Sequence, residues 1–189
     1  MSKSTKKKVE SAKGRIVDYE EIRKIAECVN LSDIQTVSFS ADARHPLNGV
    51  LVHSQEQQIE VRGKLIQANR GFCVSLIEFR YKIGDKDSVL ATVQGSIIAA
   101  YSMTDKESLG KFSNETIQQF AEVNGIYNTW SYIREVVASS LTRLGLSGVL
   151  LPVWRPPSEL PPLGEFAIMT FSPSMIDITD SDKPISNKS

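Results

Sequence analysis

The chain has 189 residues, the length of one ordinary domain with a proper core, and its 41% hydrophobic and 23% charged residues are of globular composition. Twenty-two basic and twenty-two acidic side chains cancel to a formal charge of zero, which excludes a global field that would draw in nucleic acid or an anionic membrane. No run reaches the length of a membrane-spanning helix, and two cysteines, Cys28 and Cys73, are too few for a disulfide framework, so a reduced cytoplasmic setting is expected.

The opening "MSKSTKKKVESAK" is basic but leads into no apolar core and no small-residue cleavage site. Residues 1–13 are therefore read as a disordered arm, residues 14–172 as a single domain, and the polar residues 173–189 as a disordered tail. "DYEEIRKIAECV" reads as a helix. Asp18 can cap it, and Ile22, Ile25, Ala26 and Val29 share one face. "DIQTVSFSADA" alternates as a strand, with Val37, Phe39 and Ala41 on one side, and "ARHPLNG" breaks it. "QQIEVRGKLIQ" places Ile59, Val61 and Leu65 on one face of a second strand. "GFCVSLIEFRYKIG" is a third. Its apolar set changes parity between Leu76 and Ile77, which indicates a bulge or burial on both faces. "GDKD" is a hairpin turn. In "SVLATVQGSIIAAYSM" the odd positions from Val89 to Met103 are apolar over the whole length, which marks a half-buried antiparallel strand with a bend at Gly95.

"SNETIQQFAEVNG" predicts a short helix, capped by Ser113 or Asn114 and ended by Gly125. A second helix then runs from Ile126 to Leu144, stops at a glycine, and yields to a short apolar strand ending at Trp154. Four strands in sequence followed by helices predict an α+β fold, a four-stranded antiparallel sheet with helices on one face. On a helical wheel Ile126, Trp130, Ile133, Val136, Val137, Leu141 and Leu144 form the stripe that holds the sheet. The opposite side carries Asn128, Ser131, Glu135, Ser139 and Thr142, flanked by Tyr127, Tyr132 and Ala138. A solvated helix face is usually rich in Lys, Glu and Arg. A face of hydroxyls and small side chains predicts contact with another copy of the chain, through Ser131, Glu135, Ala138, Ser139 and Thr142, in a C2 or dihedral assembly.

The segment "WSYIREVVASSLTRLGLSGVLLPV" resembles the SecB export chaperones, in which an aromatic-Pro-Tyr-x-Arg-Glu start leads into an aliphatic, hydroxyl-rich helix and a Leu-x-x-Pro-like strand. Trp130, Tyr132, Arg134 and Glu135 match the aromatic, Tyr, Arg and Glu, while Ser131 replaces the proline. The preceding strand "VLATVQGSIIAAYSM" is similar to the family's strand at that place, so the resemblance spans roughly Phe72 to Trp154. It implies a SecB-like fold, a tetramer built as a dimer of dimers with the long helices between sheets, and a holdase that binds unfolded polypeptides in apolar grooves without ATP. It implies no enzyme and no cofactor. Export members are acidic and engage a translocase motor. This chain is neutral, and five of its eight prolines lie between Pro152 and Pro162, where those members have a second helix. Its resemblance is closer to the divergent SecB-like proteins, some of which protect antitoxins in toxin–antitoxin pairs.

A holdase needs sheltered apolar surface, and aromatic side chains give large contact area at low entropy cost. The groove candidates are Phe79 and Tyr81, Trp130 and Tyr132, and Leu151 with Trp154. Each competes with plain core packing, Trp130 most of all because it lies on the main stripe. Trp154, beside Arg155, Pro156 and Pro157, is the leading candidate, and the proline-rich segment is either a stiff rim over the groove or a connecting loop. His45, His53, Cys28 and Cys73 show no metal-ligand spacing, and "GLSGVL" lacks the lysine of a phosphate loop. "EFRYKI" is only a weak version of an RNA-binding strand. Arg134 and Glu135, about 100° apart on a helix, do not face each other as a catalytic pair. The rival readings are a small-molecule-binding α+β domain or enzyme that uses the same apolar cavity, and an inert assembly subunit.

Overall fold

The computed structural model describes residues 14–44, 55–85, 88–104, 109–146 and 149–171. The two arms, residues 45–54 with most of the "ARHPLNG" break and both histidines, and Lys86 and Asp87 of the hairpin turn lie outside the described residues.

A two-residue strand β1 (Arg15–Ile16) precedes helix α1 (Tyr19–Cys28). Asp18 caps α1 by accepting a hydrogen bond from the Glu21 amide, and Ile22 and Ile25 are its buried face. Four long strands follow: β2 (Val29–Ala43), β3 (Gln57–Ala68), β4 (Phe72–Asp85) and β5 (Ser88–Met103). These are the strands the alternation marks. Strands β3, β4 and β5 form an antiparallel meander, and β2 returns beside β5. A fifth strand, which the sequence reading did not find, extends the sheet at its far edge: β7 (Ala167–Phe171) pairs with β3 from Val61 to Gln57. Two-residue strand β6 (Glu159–Leu160) pairs with β1.

The helix reading needs one correction. Helix α2 is a single 30-residue element, Asn114–Arg143, and Gly125 is inside it. Gly125 does not stop the helix but brings it close to the sheet. A Cβ there would lie 3.0 Å from Ser75 Cβ and 3.2 Å from Ile77 Cδ1. Gly63 serves the same approach from β3, where a Cβ would stand 2.7 Å from both the Cα and the carbonyl oxygen of Glu122. Ser113 is the N-cap, accepting from the Thr116 amide. The helix ends where expected: Gly145 takes φ 85° and its amide reaches the Thr142 carbonyl, while the Leu146 amide reaches Leu141.

Two further readings are corrected, and one is decided between its alternatives. Strand β4 runs in register with β5 from Phe72 to Ile83, so the parity change at Leu76 marks burial on both faces and no bulge. Its odd positions Cys73, Ser75, Ile77, Phe79, Tyr81 and Ile83 all face the core, while Val74 and Leu76 are half-buried on the other face. In β2, register shifts after Leu31 and after Thr36 change which residues face inward. Pairing puts Leu31, Ile34 and Thr36, then Phe39, Ala41 and Ala43, on the helix side, and Val37 falls in the second shift. Finally, Val149–Trp154 forms no strand. It is extended chain packed on α2, where Trp130 Nε1 donates to the Pro152 carbonyl at 2.8 Å. Prolines 152, 156 and 157 remove the amides a ladder would use.

The close contact at Gly63 is backbone against backbone, which cannot yield by side-chain rotation. Gly63→Ala is expected to lower the unfolding free energy by about 1–3 kcal/mol, read as a drop in denaturant midpoint at unchanged slope.

Candidate functional site

Helix α2 lies across β3, β4 and β5 and barely reaches β2. The inner face of β2 is consequently open. Leu31 is 44% and Phe39 46% exposed, and Ile34, Ala41 and Ala43 are half-buried. At 15 residues this edge strand is long, and its free side is unpaired among the described residues. Natural edges are normally short, charged or covered. The opposite edge obeys that rule, since β7 has five residues.

The outward side of α2 is a second open surface. Ser131, Glu135, Ser139 and Thr142 are exposed and Ala138 half-exposed, so all five predicted interface residues point away from the sheet. Ser139 donates to the Val136 carbonyl and Thr142 to the Ala138 carbonyl, turning their hydroxyls back onto the helix. Ser131 and Glu135 are the polar side chains on that face with no such bond to the helix. Tyr127 is 60% and Tyr132 47% exposed on the same helix. Asn128 is not part of that face; its amide donates to the buried Tyr101 hydroxyl at 3.0 Å.

The proposed groove residues separate. Tyr132 is exposed, whereas Phe79, Tyr81, Trp130, Leu151 and Trp154 are all buried within the chain. The Tyr81 hydroxyl donates to Gln57 Oε1 at 2.7 Å, and its ring lies 6.4 Å from Phe171. Trp130 and Trp154 meet with ring centroids 5.3 Å apart. Their contact joins α2 to a strap of non-regular chain, residues 149–166, that crosses the groove between α2 and β3. Val149, Leu151, Trp154 and Leu160 point in, while Leu150, Val153 and Leu163 point out. Beneath the strap is a cavity of about 20 Å³ bounded by Val61, Val123, Ile126 and Trp154 among others.

Polar contacts bracket the strap. Arg15 of β1 pairs with Glu122 of α2 at 2.5 Å, and its Nε reaches the Pro161 carbonyl. The Val17 amide reaches Ser158, and the Tyr19 hydroxyl donates to the Pro157 carbonyl. At the other end Arg62 donates to the Gly164 carbonyl at 2.6 Å and stacks 4.2 Å over the Phe166 ring. Against these stands one defect: Trp154 Nε1 is buried with no protein acceptor. Burying the ring contributes about 4–6 kcal/mol, and leaving its N–H unpaired gives back about 1–3 kcal/mol of that, so the Trp154 anchor holds less firmly than its buried area alone would provide.

The outer face of the sheet is ionic. Glu78 pairs with Arg62 and Lys64, and Glu60 with Lys82 and Arg80. The hydrogen bond from Arg62 holds the Glu78 carboxyl below its usual range, with Lys64 adding to it. Beside these pairs an open groove of about 390 Å³ is lined by Ser38, Ser40, Gln94, Ser96 and Phe166. Among the described residues no group of His, Cys, Asp and Glu could hold a metal ion, and no helix is long and apolar enough to cross a membrane.

Burial pushes the Tyr101 hydroxyl up to about 12 and raises Tyr81 further. Unfolded tyrosines ionise near pH 10 while these stay protonated in the fold, so the unfolded state releases protons first. Stability should therefore be insensitive to these groups below about pH 9 and fall between about pH 9 and pH 12. Tyr101→Phe should flatten that fall, measured by denaturant titration across the range.

No protein-family profile and no curated protein sequence matches the chain. Among solved structures, a SecB-like chaperone of Mycobacterium tuberculosis, in complex with a peptide from an antitoxin, superposes with TM-score 0.59 at 18% identity, covering 71% of this chain and 97% of that one. A protein of unknown function from Streptococcus agalactiae gives TM-score 0.38 at 14% identity over 66% of this chain and 96% of that one, a likeness too slight to argue from. The α+β architecture, an antiparallel sheet carrying a long helix, is thus a SecB-like fold with distant sequence.

Proposed function

We propose that the chain is an ATP-independent holdase that binds unfolded or extended polypeptides and works as a homo-oligomer in the cytoplasm. The observation that carries this reading is the long uncovered strand β2, which offers Leu31 and Phe39 beside a row of unpaired backbone groups. Such an edge can add a strand from another chain, and its apolar face can take that chain's side chains. The SecB-like chaperone of similar fold was solved with an antitoxin peptide, which supports a polypeptide as ligand here.

The assembly we propose is a dimer of dimers, with the outward side of α2 as one of its contacts and residues 14–172 as the folded unit. The client-protecting role is favoured over delivery to a translocase motor. On β3 and β4 the outer face sets Arg62, Lys64, Arg80 and Lys82 against only Glu60 and Glu78, not the acidic surface that export members use. An antitoxin-like or nascent chain is the client class that fits. The small-molecule reading loses support from the interior. The cavity under the strap, about 20 Å³, has room for about one water and is far below the roughly 300–1,000 Å³ of ligand pockets.

Two measurements test this. Substoichiometric clients of unrelated sequence should stay soluble on heating with the protein and no nucleotide, and native mass should show a tetramer that retains an unfolded client. A monomer that leaves client aggregation unchanged would contradict the reading. Ser139→Glu places two like charges against each other in a symmetric helix contact. It should weaken the assembly at least about tenfold by sedimentation, about 1.4 kcal/mol, and an unchanged oligomer would remove α2 as a contact.

A further inference from the structure

The strap has the features of a bound peptide. It has no regular structure apart from β6, bends at Ser158 and turns at Leu163 and Gly164, and lays Val149, Leu151, Trp154 and Leu160 into an apolar groove while Leu150, Val153 and Leu163 face out. The groove floor, Val61, Val123 and Ile126, would otherwise be bare apolar surface. The strap's hold is mostly at its ends. Between Trp130 and the contacts at Pro157 and Ser158, its described anchors are side chains alone, and one of them, Trp154, buries an indole N–H without an acceptor.

The element that closes the strap down is β1. Its two residues pair with Glu159 and Leu160, and Arg15 reaches both the Pro161 carbonyl and the buried Glu122. Gln119 of α2 fixes β1 in turn, donating to the Ile16 carbonyl and accepting from the Asp18 amide. Gln118 holds the second oxygen of Glu122. Both Arg15 contacts are lost together if β1 moves, so the N-terminal segment fastens one end of the strap while Arg62 fastens the other.

We propose that the strap is a built-in occupant of the groove between α2 and β3, latched by β1, and that it lifts away when an extended polypeptide bearing aromatic and aliphatic side chains takes its place. The proposal rests on the polypeptide-binding reading and locates one client site within it. It also gives buried Trp130, Leu151 and Trp154 a second role: Trp130 becomes groove floor on release, and Leu151 and Trp154 leave with the strap. The exchange is between like surfaces. A client replaces the strap's apolar contacts with its own and gains main-chain hydrogen bonds that a proline-rich segment cannot make.

The full chain provides the test, because its two tryptophans are Trp130 and Trp154. Ile16 and Glu159 are opposed partners in the β1–β6 pair, at a spacing a disulfide can bridge. Ile16→Cys with Glu159→Cys, in a Cys28→Ser background, therefore gives a reversible lock. Buried Cys73, whose thiol burial pushes up to about 11, should not compete. Binding of dye-labelled, reduced and carboxymethylated α-lactalbumin is read by anisotropy, and tryptophan exposure by acrylamide quenching. The oxidised form should bind at least about tenfold more weakly than the reduced form, with affinity restored by reductant. Arg15→Met, the second variant, should raise quenching and tighten client binding. Equal client affinity in the oxidised and reduced forms overturns the strap. If neither form nor the parent chain binds the client, the holdase reading fails separately. The latch is then judged by quenching alone: an Arg15→Met protein as well shielded as its parent overturns it, and a rise in quenching supports it.

Discussion

The structure depends on how closely α2 is pressed onto the sheet. Two glycines from different elements allow it: Gly63 on β3 under Glu122, and Gly125 on α2 over Ser75 and Ile77. With Cβ atoms there the helix would stand off, and the layer of Ile59, Val61, Ile77, Phe79, Val93 and Ile97 beneath Phe120, Ile126, Ile133 and Val137 would open to water. A glycine inside a helix costs about 1 kcal/mol against alanine, a small loss beside the burial of even one aliphatic side chain at about 1.5–3 kcal/mol. The same approach decides which strand goes uncovered. A single long helix centred over β3 and β4 cannot also shield β2, so an apolar strand face is left at the sheet edge.

That leftover surface is where the proposed function resides. An isolated domain that exposes a long apolar edge invites aggregation. The same surface is useful if copies of the chain or extended clients cover it. The other edge is managed differently. Strand β7 covers it along Gln57–Val61, with Arg62 bridging Glu78, Gly164 and Phe166 at the junction. Part of that edge is thus covered by the chain's own C-terminal segment, whereas β2 is left uncovered.

The sequence made the long elements legible because each carries a strong period. Strand β5 alternates over its whole length, and the stripe from Ile126 to Leu144 is buried where the wheel places it except at half-buried Val136 and Leu144. Where reading failed, a residue served tertiary contact against its local habit. Gly125 reads as a helix stop because glycine usually ends helices; only the strand beneath shows it as a point of approach. The register shifts in β2 reverse its pattern midway, which no alternation count anticipates. "AIMTF" was a short β-prone run after five prolines, and its composition did offer a signal that Pro-rich neighbours masked. The site was less legible than the fold. Aromaticity picked out Phe79, Tyr81, Trp130, Leu151 and Trp154, but apolar side chains look alike in sequence whether they line a core or a groove. Leu31 and Phe39, the open ones, depended on where α2 lies, which is set by packing between residues far apart in the chain, as at Gly63 and Glu122. The charge-poor side of α2 was visible because an absence of Lys and Glu is itself a pattern.

The central claim is that β2 is covered by protein when the molecule works. Amide hydrogen exchange of the full chain, followed over a dilution series and with an unfolded client added, addresses it directly. The account predicts that the amides of residues 29–43 that β5 leaves unpaired exchange slowly at working concentration, quicken on dilution, and slow again with client. Fast exchange of those amides at every concentration, with or without client, would contradict it.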